Sequence, residues 1–279
     1  LTEGKFVWFG HSTLLMKTEG LVVMTDPVFN RASPLPSFSS KSKSSFFNGK
    51  PFVFENPILI EDLPKVDIVI ISHDHYDHLD SKAIKDLSNL VDHFIVPLGV
   101  GAHLERWGVD KNKITELDWY ESKSYKDIEF IFAPSLHFSG RGITNGNSTL
   151  WGSWIVKSKS LSAYFSGDGG YSETFKKLGN EYGPFDIAFI ENGAYNIDWS
   201  NVHMFPDESV QASIDLKAKV LLPIHWSKFD LSIHPWDEPI IRVTQEAKKK
   251  NVKIATPMIG EVFDLNNLPR NPWWEKLRN

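Results

Sequence analysis

Short apolar runs punctuated by polar turns fill most of this chain. The clearest is Ile68-Val69-Ile70-Ile71, β-branched and free of charge, which predicts a strand buried on both faces. Lys5 to Phe9 and Leu14 to Met16 flank Gly10-His11-Ser12 and predict a hairpin. Leu21 to Met24 predicts a third strand, ending at Thr25-Asp26-Pro27. Further strands are predicted over 94–97, 114–117, 128–133, 151–156, 162–166, 187–190, 220–224, 253–255 and 261–264. Helices are predicted over 101–107, 206–216 and 240–250. Another follows Asp80-Ser81, where Asp80 reads as a cap and Ala83, Ile84, Leu87 and Leu90 form one apolar stripe. Strands alternate with helices and no linker-like boundary interrupts them, so the pattern predicts an α/β fold with one domain over residues 1–279.

Residues 30–57 break this rhythm. Pro34, Pro36, Pro51 and Pro57 punctuate a stretch without periodicity that carries Phe38, Phe46, Phe47, Phe52 and Phe54. A long loop is expected, and two readings are open: a lid or lipid-facing flap, and a surface excursion with its phenylalanines tucked into the core.

Composition narrows the class. Of 279 residues, 41% are hydrophobic and 23% charged, enough apolar material for a sizeable core. A net charge of −5 disfavours nucleic acid as a partner. There is no cysteine, so any metal must be held by His, Asp or Glu. No apolar run reaches the length of a membrane span. The chain begins at Leu1, directly in a strand-like segment, and a trimmed leader or anchor is expected upstream. The expected location is cytoplasmic or peripheral to a membrane. Ten tryptophans and nineteen phenylalanines predict a core rich in rings, with some left to line an apolar substrate pocket. The tail Pro272-Trp273-Trp274 is expected to dock on the core.

The chemistry concentrates where the buried strand ends. Ser72-His73-Asp74-His75-Tyr76-Asp77-His78 packs three histidines and two further carboxylates into seven residues. Imidazole and carboxylate together suit zinc and its first-row neighbours, and loops at the carboxyl ends of strands are where open α/β sheets bind ligands. Asp74 and Tyr76 interleave with the candidate ligands and are expected to point away. The same event recurs at His137, Asp168 and His225, each delivered by the end of an apolar run. Asp26 has two even readings, a loop cap and a support for a ligand histidine.

This spacing, together with Trp8-Phe9-Gly10-His11-Ser12-Thr13, Thr25-Asp26-Pro27 and His225-Trp226, resembles the metallo-β-lactamase superfamily over nearly the whole chain. The phrases are most similar to the branch containing the N-acyl-phosphatidylethanolamine-hydrolysing phospholipase D and its bacterial relatives. The resemblance implies a four-layer αββα sandwich with a dinuclear metal site. His73, His75 and His137 would hold the first ion, Asp77, His78 and His225 the second, and Asp168 would bridge them. Two divalent ions are implied, zinc foremost, with manganese and iron able to use the same ligands. A metal-bridging hydroxide would attack a phosphodiester, with Asp77 and His203 as the catalytic residues. His203 resembles a histidine near the leaving group in that branch, where a general acid would protonate the departing alkoxide. A helix-entry histidine with a structural hydrogen bond is the bland alternative.

Around this centre, Arg141 and His234 are candidate substrate-binding residues. Arg141 reads equally as a phosphate clamp and as an ordinary surface arginine; His234 opens a Pro-rich turn expected near the site mouth. His11 joins Asp26 as candidate support for the ligands, while His93 and His103 carry no expected role. The expected substrate is a small molecule or lipid with an anionic group, and peripheral membrane contact is part of the same expectation. The alternatives are a lactonase of the L-ascorbate phosphate lactonase type and a non-catalytic metal-binding scaffold. Nothing in the sequence specifies an oligomeric state.

Overall fold

Neighbouring residues of the first strand enter different cores: Phe6 and Trp8 go to one, Val7 and Phe9 to the other. The computed structural model describes residues 1–33, 49–55 and 57–277. The alternation repeats at Ile68 and Ile70 against Val69 and Ile71. It is the period-two signature of a sheet covered on both faces.

Strands β1 (Lys5–Trp8), β2 (Leu14–Thr18), β3 (Leu21–Thr25), β4 (Val66–Ile70), β5 (Val91–Pro97) and β6 (Ile114–Leu117) run in that spatial order. Pairing is antiparallel from β1 to β3 and parallel from β3 to β6. A second sheet holds β7 (Ser122–Tyr125), β8 (Ile128–Pro134), β9 (Gly152–Lys157), β10 (Ser162–Phe165), β11 (Ile187–Glu191) and β12 (Leu221–Ile224), again in sequence order. A last strand, β13 (Val262–Asp264), returns to the first sheet beside β1. The parallel stretches are joined by α1 (Ser81–Leu87), α2 (Gly101–Arg106), α3 (Thr174–Glu181) and α4 (Pro206–Asp215), and α5 (Glu238–Lys249) follows β12.

Helices α1 and α2 pack on one face of the first sheet through Ile84, Leu87 and Leu104. The other face meets the second sheet, where Ile68 and Ile70 share a core with Phe132, Trp154 and Phe165. Helices α3 to α5 add Leu178, Val210 and Val243 to that core. The result is the four-layer αββα sandwich. Val66, Ile68, Val69 and Ile70 of β4 are wholly buried, each worth roughly 1.5–3 kcal/mol against exposure, so the loop that β4 feeds starts from a rigid base.

Most predicted elements are present, with shifted ends. Asp80 caps α1, its Oδ1 accepting from the N–H groups of Lys82 (2.9 Å) and Ala83 (3.2 Å). The strand expected over 253–255 is reduced to a single bridge from Ile254 to Leu221. Two elements were not foreseen. Strand β7 is polar and mostly exposed, so its pairing with β8 shapes it, not a buried face. Helix α3 buries little more than Phe175 and Leu178, too short a stripe to read as periodic. Trp273 and Trp274 do dock on the core, Trp273 stacking on Trp226 at 5.5 Å between ring centres. Of the 30–57 loop, Pro34, Pro36, Phe38, Phe46 and Phe47 lie outside the described residues. Phe52 and Phe54 are half-buried and help line a cavity of about 620 Å³ with Phe9, Phe29 and Lys228.

Candidate metal centre

The two sheets end together at one edge, and the side chains they deliver there are histidines and carboxylates. His73, His75 and His78 sit in the turn after β4, His137 follows β8, Asp168 follows β10, and His225 follows β12. Cross-links hold these turns in register. The N–H of His11 donates to the Trp226 carbonyl (3.0 Å) and the N–H of His225 to the His11 carbonyl (2.9 Å), which ties the β1–β2 turn to the end of β12. Gly167 has a φ of +56°, and a Cβ on it would lie 2.5 Å from the Ser72 Cβ; only glycine lets the turn before Asp168 approach the histidine turn this closely.

Two clusters of ligand atoms result. His73 Nε2 lies 2.8 Å from His75 Nδ1, which lies 3.2 Å from His137 Nε2. Beside them, Asp168 Oδ2 is 3.0 Å from His78 Nε2 and 3.1 Å from His225 Nε2. Asp77 Oδ2 is 3.5 Å from His78 Nε2 and 3.3 Å from His225 Nε2. Asp168 Oδ2 also stands 4.0 and 3.9 Å from the Nε2 atoms of His73 and His137, so one oxygen faces both clusters.

Outer hydrogen bonds fix which ring nitrogens face inward. Asp26 is fully buried and its Oδ2 accepts from His78 Nδ1 (2.6 Å) and from the Ser72 hydroxyl (2.5 Å). With its proton spent on Asp26, the Ser72 Oγ accepts from His73 Nδ1 (2.9 Å). His137 Nδ1 donates to the Val202 carbonyl (3.0 Å). The Nε2 atoms of His73 and His137 are thereby left as lone pairs pointing into the site, as metal-ligating imidazoles require. His78, whose Nε2 faces Asp168, is lifted well above the ordinary histidine range because the carboxylates of Asp168 and Asp77 outweigh its burial. Of the two sequence readings of Asp26, loop cap and ligand support, these hydrogen bonds place it directly behind the His78 ring.

The electrostatics point the same way. Burial pushes His73 and His137 well below the ordinary histidine range, so both rings are neutral. Burial also opposes charge on His225, but the Asp168 carboxylate, aided by Asp77, outweighs it and lifts His225 to about 10. Asp168, though buried, is held well below the carboxylate range by His225 and His78. The buried carboxylates thus call for positive charge, which a divalent cation supplies when it displaces ring protons. His78 Nε2 and Asp168 Oδ1 are buried and lack a hydrogen-bond partner among the described residues; orphaned buried polar atoms are costly unless an ion or water satisfies them. The donor set fits a pair of divalent metal ions.

Each predicted residue can be placed. Asp74 and Tyr76 point away: Asp74 Oδ1 accepts from the Gly140 N–H (2.6 Å), and the Tyr76 hydroxyl donates to the Arg141 carbonyl (2.6 Å). His11 is buried with Nε2 3.0 Å from Asp77 Oδ2 and its ring 4.1 Å from that of His225. His203 lines a cavity of about 410 Å³ that opens onto His75, Asp77, His137, Asp168 and His225, with Phe138, Trp199, Val202 and Leu231 as apolar walls. Arg141 is not on those walls. Its Nη1 donates to the carbonyls of Asp74 and Leu79, both at 2.7 Å, and its guanidinium lies 4.0 Å over the Tyr76 ring. It clamps the histidine turn, an arrangement outside both sequence readings. His234 stacks on Tyr195 at 4.4 Å, its Nδ1 donating to the Pro235 carbonyl (3.0 Å), and is also absent from the cavity walls. His93 meets the Thr115 hydroxyl (2.8 Å) and His103 lies 3.3 Å from Asp74 Oδ2.

One residue beside the site escaped the sequence reading. Glu191 ends β11 wholly buried, its Oε2 accepting from His203 Nδ1 at 2.8 Å. The signal was present, since Glu191 closes a buried apolar strand much as Asp168 follows one.

Comparison with known proteins adds independent findings. Residues 22–226 match the family model described as a β-lactamase superfamily domain. An uncharacterised protein of Mycobacterium tuberculosis is 41% identical over 273 residues, covering 96% of this chain and 70% of its own length. The N-acyl-phosphatidylethanolamine-hydrolysing phospholipase D 1 of Caenorhabditis elegans is 33% identical, covering 93% of this chain and 75% of its own. Among solved structures, the metallo hydrolase Igni18 of Ignicoccus hospitalis superimposes with a TM-score of 0.68 at 19% identity, over 93% of this chain and 97% of that one.

Proposed function

This chain belongs to the β-lactamase superfamily as a metal-dependent hydrolase, and on that premise we propose that it is a phosphodiesterase of the phospholipase D type. The observation that carries the reading is the place of His203, which lines the apolar-walled cavity that opens on the metal ligands. A hydrolase that expels an alkoxide needs a proton donor at the leaving oxygen, and a histidine on the wall of the cavity that the candidate ligands share supports that role. Its ring centre is 5.3 Å from that of His137 and 5.2 Å from that of His225.

His73, His75 and His137 would hold one ion and Asp77, His78 and His225 the other, with Asp168 between them. When bound, two divalent ions supply Lewis acidity and an activated water; zinc is the metal this ligand set favours. The seven side chains contribute only two carboxylates, so the loaded site stays net positive and attracts an anionic phosphodiester ahead of a neutral lactone. Phe138, Trp199, Val202 and Leu231 offer apolar contact to a lipid chain. Ile143, Ile197 and Ile233 are exposed within five residues of the wall residues Phe138, Trp199 and Leu231 in the chain, which supports peripheral contact with a lipid surface. No described helix is long and apolar enough to cross a membrane.

The test is hydrolysis of a phosphodiester panel, from bis(p-nitrophenyl) phosphate to N-acyl-phosphatidylethanolamine, by metal-loaded protein beside His75→Ala. A lactone and a β-lactam complete the panel. Phosphodiester turnover that disappears in the variant supports the proposal. Cleavage of the lactone alone makes the protein a lactonase, and metal binding with no turnover of any ester makes it a scaffold.

A further inference from the structure

We infer that Glu191 is a positioning residue: it holds His203 with Nδ1 turned away from the cavity, leaving Nε2 as the ring nitrogen offered to the leaving group. This rests on the acid role given to His203 above. The two oxygens of one carboxylate bind consecutive residues. Oε2 accepts from His203 Nδ1 (2.8 Å) and Oε1 from the Met204 N–H (2.7 Å), so ring and main chain are fixed together. The main chain that carries it is anchored as well. The N–H of Glu191 donates to the Ser166 hydroxyl (2.9 Å), and its carbonyl accepts from the Ser209 hydroxyl (2.7 Å).

The bond is directed at His203 and not at the metal ligands. Glu191 Oε2 lies 3.8 Å from His225 Nδ1, beyond hydrogen-bond reach. Placing a carboxylate out of water costs several kcal/mol unless it is fully partnered, and the partner here is a histidine that faces the cavity with 15% of its side chain exposed. An acceptor on Nδ1 settles the tautomer of a histidine and the direction of its other nitrogen. In the step this serves, the water oxygen bonds to phosphorus as the bond from phosphorus to the alcohol oxygen breaks. That alcohol oxygen takes the proton from His203 Nε2, the proton lost by the water passes to solvent, and His203 is reprotonated from solvent.

Two esters of the same phosphatidyl group separate positioning from mere support of the fold. One expels p-nitrophenolate, which leaves without a proton; the other expels an alkoxide, which does not. With the full chain loaded with zinc, Glu191→Gln and His203→Ala should each lower kcat on the alkoxide ester about 100-fold, within the range for a general acid. The p-nitrophenyl ester should change by less than about threefold. The double variant should be no slower than His203→Ala alone, because the pair acts as a unit, and bound zinc should be unchanged. Equal loss on both esters, multiplying losses in the double variant, or loss of zinc in Glu191→Gln would overturn the inference.

A second measurement needs neither variant nor turnover. The ¹⁵N shifts of the His203 ring should show a proton on Nδ1 in the unmodified protein, and a bare Nδ1 with the proton on Nε2 would refute Glu191 as its acceptor. A protein that cleaves no phosphodiester defeats the proposed function, while the ring shifts still decide whether Glu191 sets His203.

Discussion

Asp26 Oδ2 and His78 Nδ1 lie 2.6 Å apart with both side chains completely out of solvent. Through that contact, and through Ser72, one carboxylate orients two candidate ligand histidines, one in each cluster. The loop that carries these histidines is therefore set from behind by a residue at the end of the neighbouring strand β3.

Asp26→Asn tests this directly. The amide keeps the volume but has one acceptor where the carboxylate has two. Oδ2 takes the Ser72 hydroxyl and the His78 ring while Oδ1 takes the Ser72 N–H (2.7 Å), and an NH2 group can serve neither set. Metal affinity should fall 10–100-fold, the usual cost of losing such a support, while far-UV circular dichroism stays unchanged. Competition with a chelator of known affinity would measure it, and unchanged affinity would remove Asp26 from the site.

Metal removal should be visible as lost stability. Ions that bind only the folded chain stabilise it by about 4 kcal/mol at a thousandfold excess over Kd, or about 10 °C in Tm for a chain of this size. Calorimetry before and after chelation, with recovery on adding zinc, checks the size and the reversibility. His75→Ala should show a much smaller chelation effect.

Arg141 invites a sharper separation of roles. With Nη1 spent on the carbonyls of Asp74 and Leu79, its replacement should loosen the histidine turn. Arg141→Lys cannot reproduce the planar fork or the stacking on Tyr76, so a loss of about 1–3 kcal/mol is expected. Faster release of metal to a chelator should accompany it. KM should stay within about twofold; a large rise in KM with normal metal retention would instead make Arg141 the phosphate clamp.

What the sequence revealed and what it hid follow one rule. The candidate ligands could be picked out because each sits where an apolar run stops, and a histidine there has few structural reasons to exist. Asp80 was legible for the same local reason, as a cap beside its own helix. The work of Arg141 was not, since the Leu79 carbonyl it binds is 62 residues away in the chain. Glu191 closes its strand in plain view, yet its meaning depends on His203, which only the tertiary path brings back to it. Strand β7 was hidden because it owes its shape to β8 and buries almost nothing of its own.

Lys228 supplies the last prediction, a dependence on pH. Its Nζ is buried, donates to the Phe9 carbonyl (3.2 Å) and lies 5.0 Å from the Phe29 ring centre, and among the described residues the Asp80 carboxylate offsets its burial only in part. Burial lowers its pKa to about 7, against about 10.4 when unfolded. Between these values the unfolded chain binds more protons than the folded one, so this lysine makes stability rise with pH across that window, by up to about 1.4 kcal/mol per unit. Below pH 7 the full penalty of a buried charge is present. Lys228→Met removes both the charge and the slope. The variant should be more stable than the parent by about 1–4 kcal/mol at pH 6, and its advantage should shrink steadily as the pH is raised to 10. His225, lifted to about 10, contributes the opposite slope over much of that range, but it does so in both proteins and cancels in the difference. Denaturant titrations of the two proteins at matched pH give that difference, and one that does not change with pH would mean that Lys228 finds a counter-charge on folding.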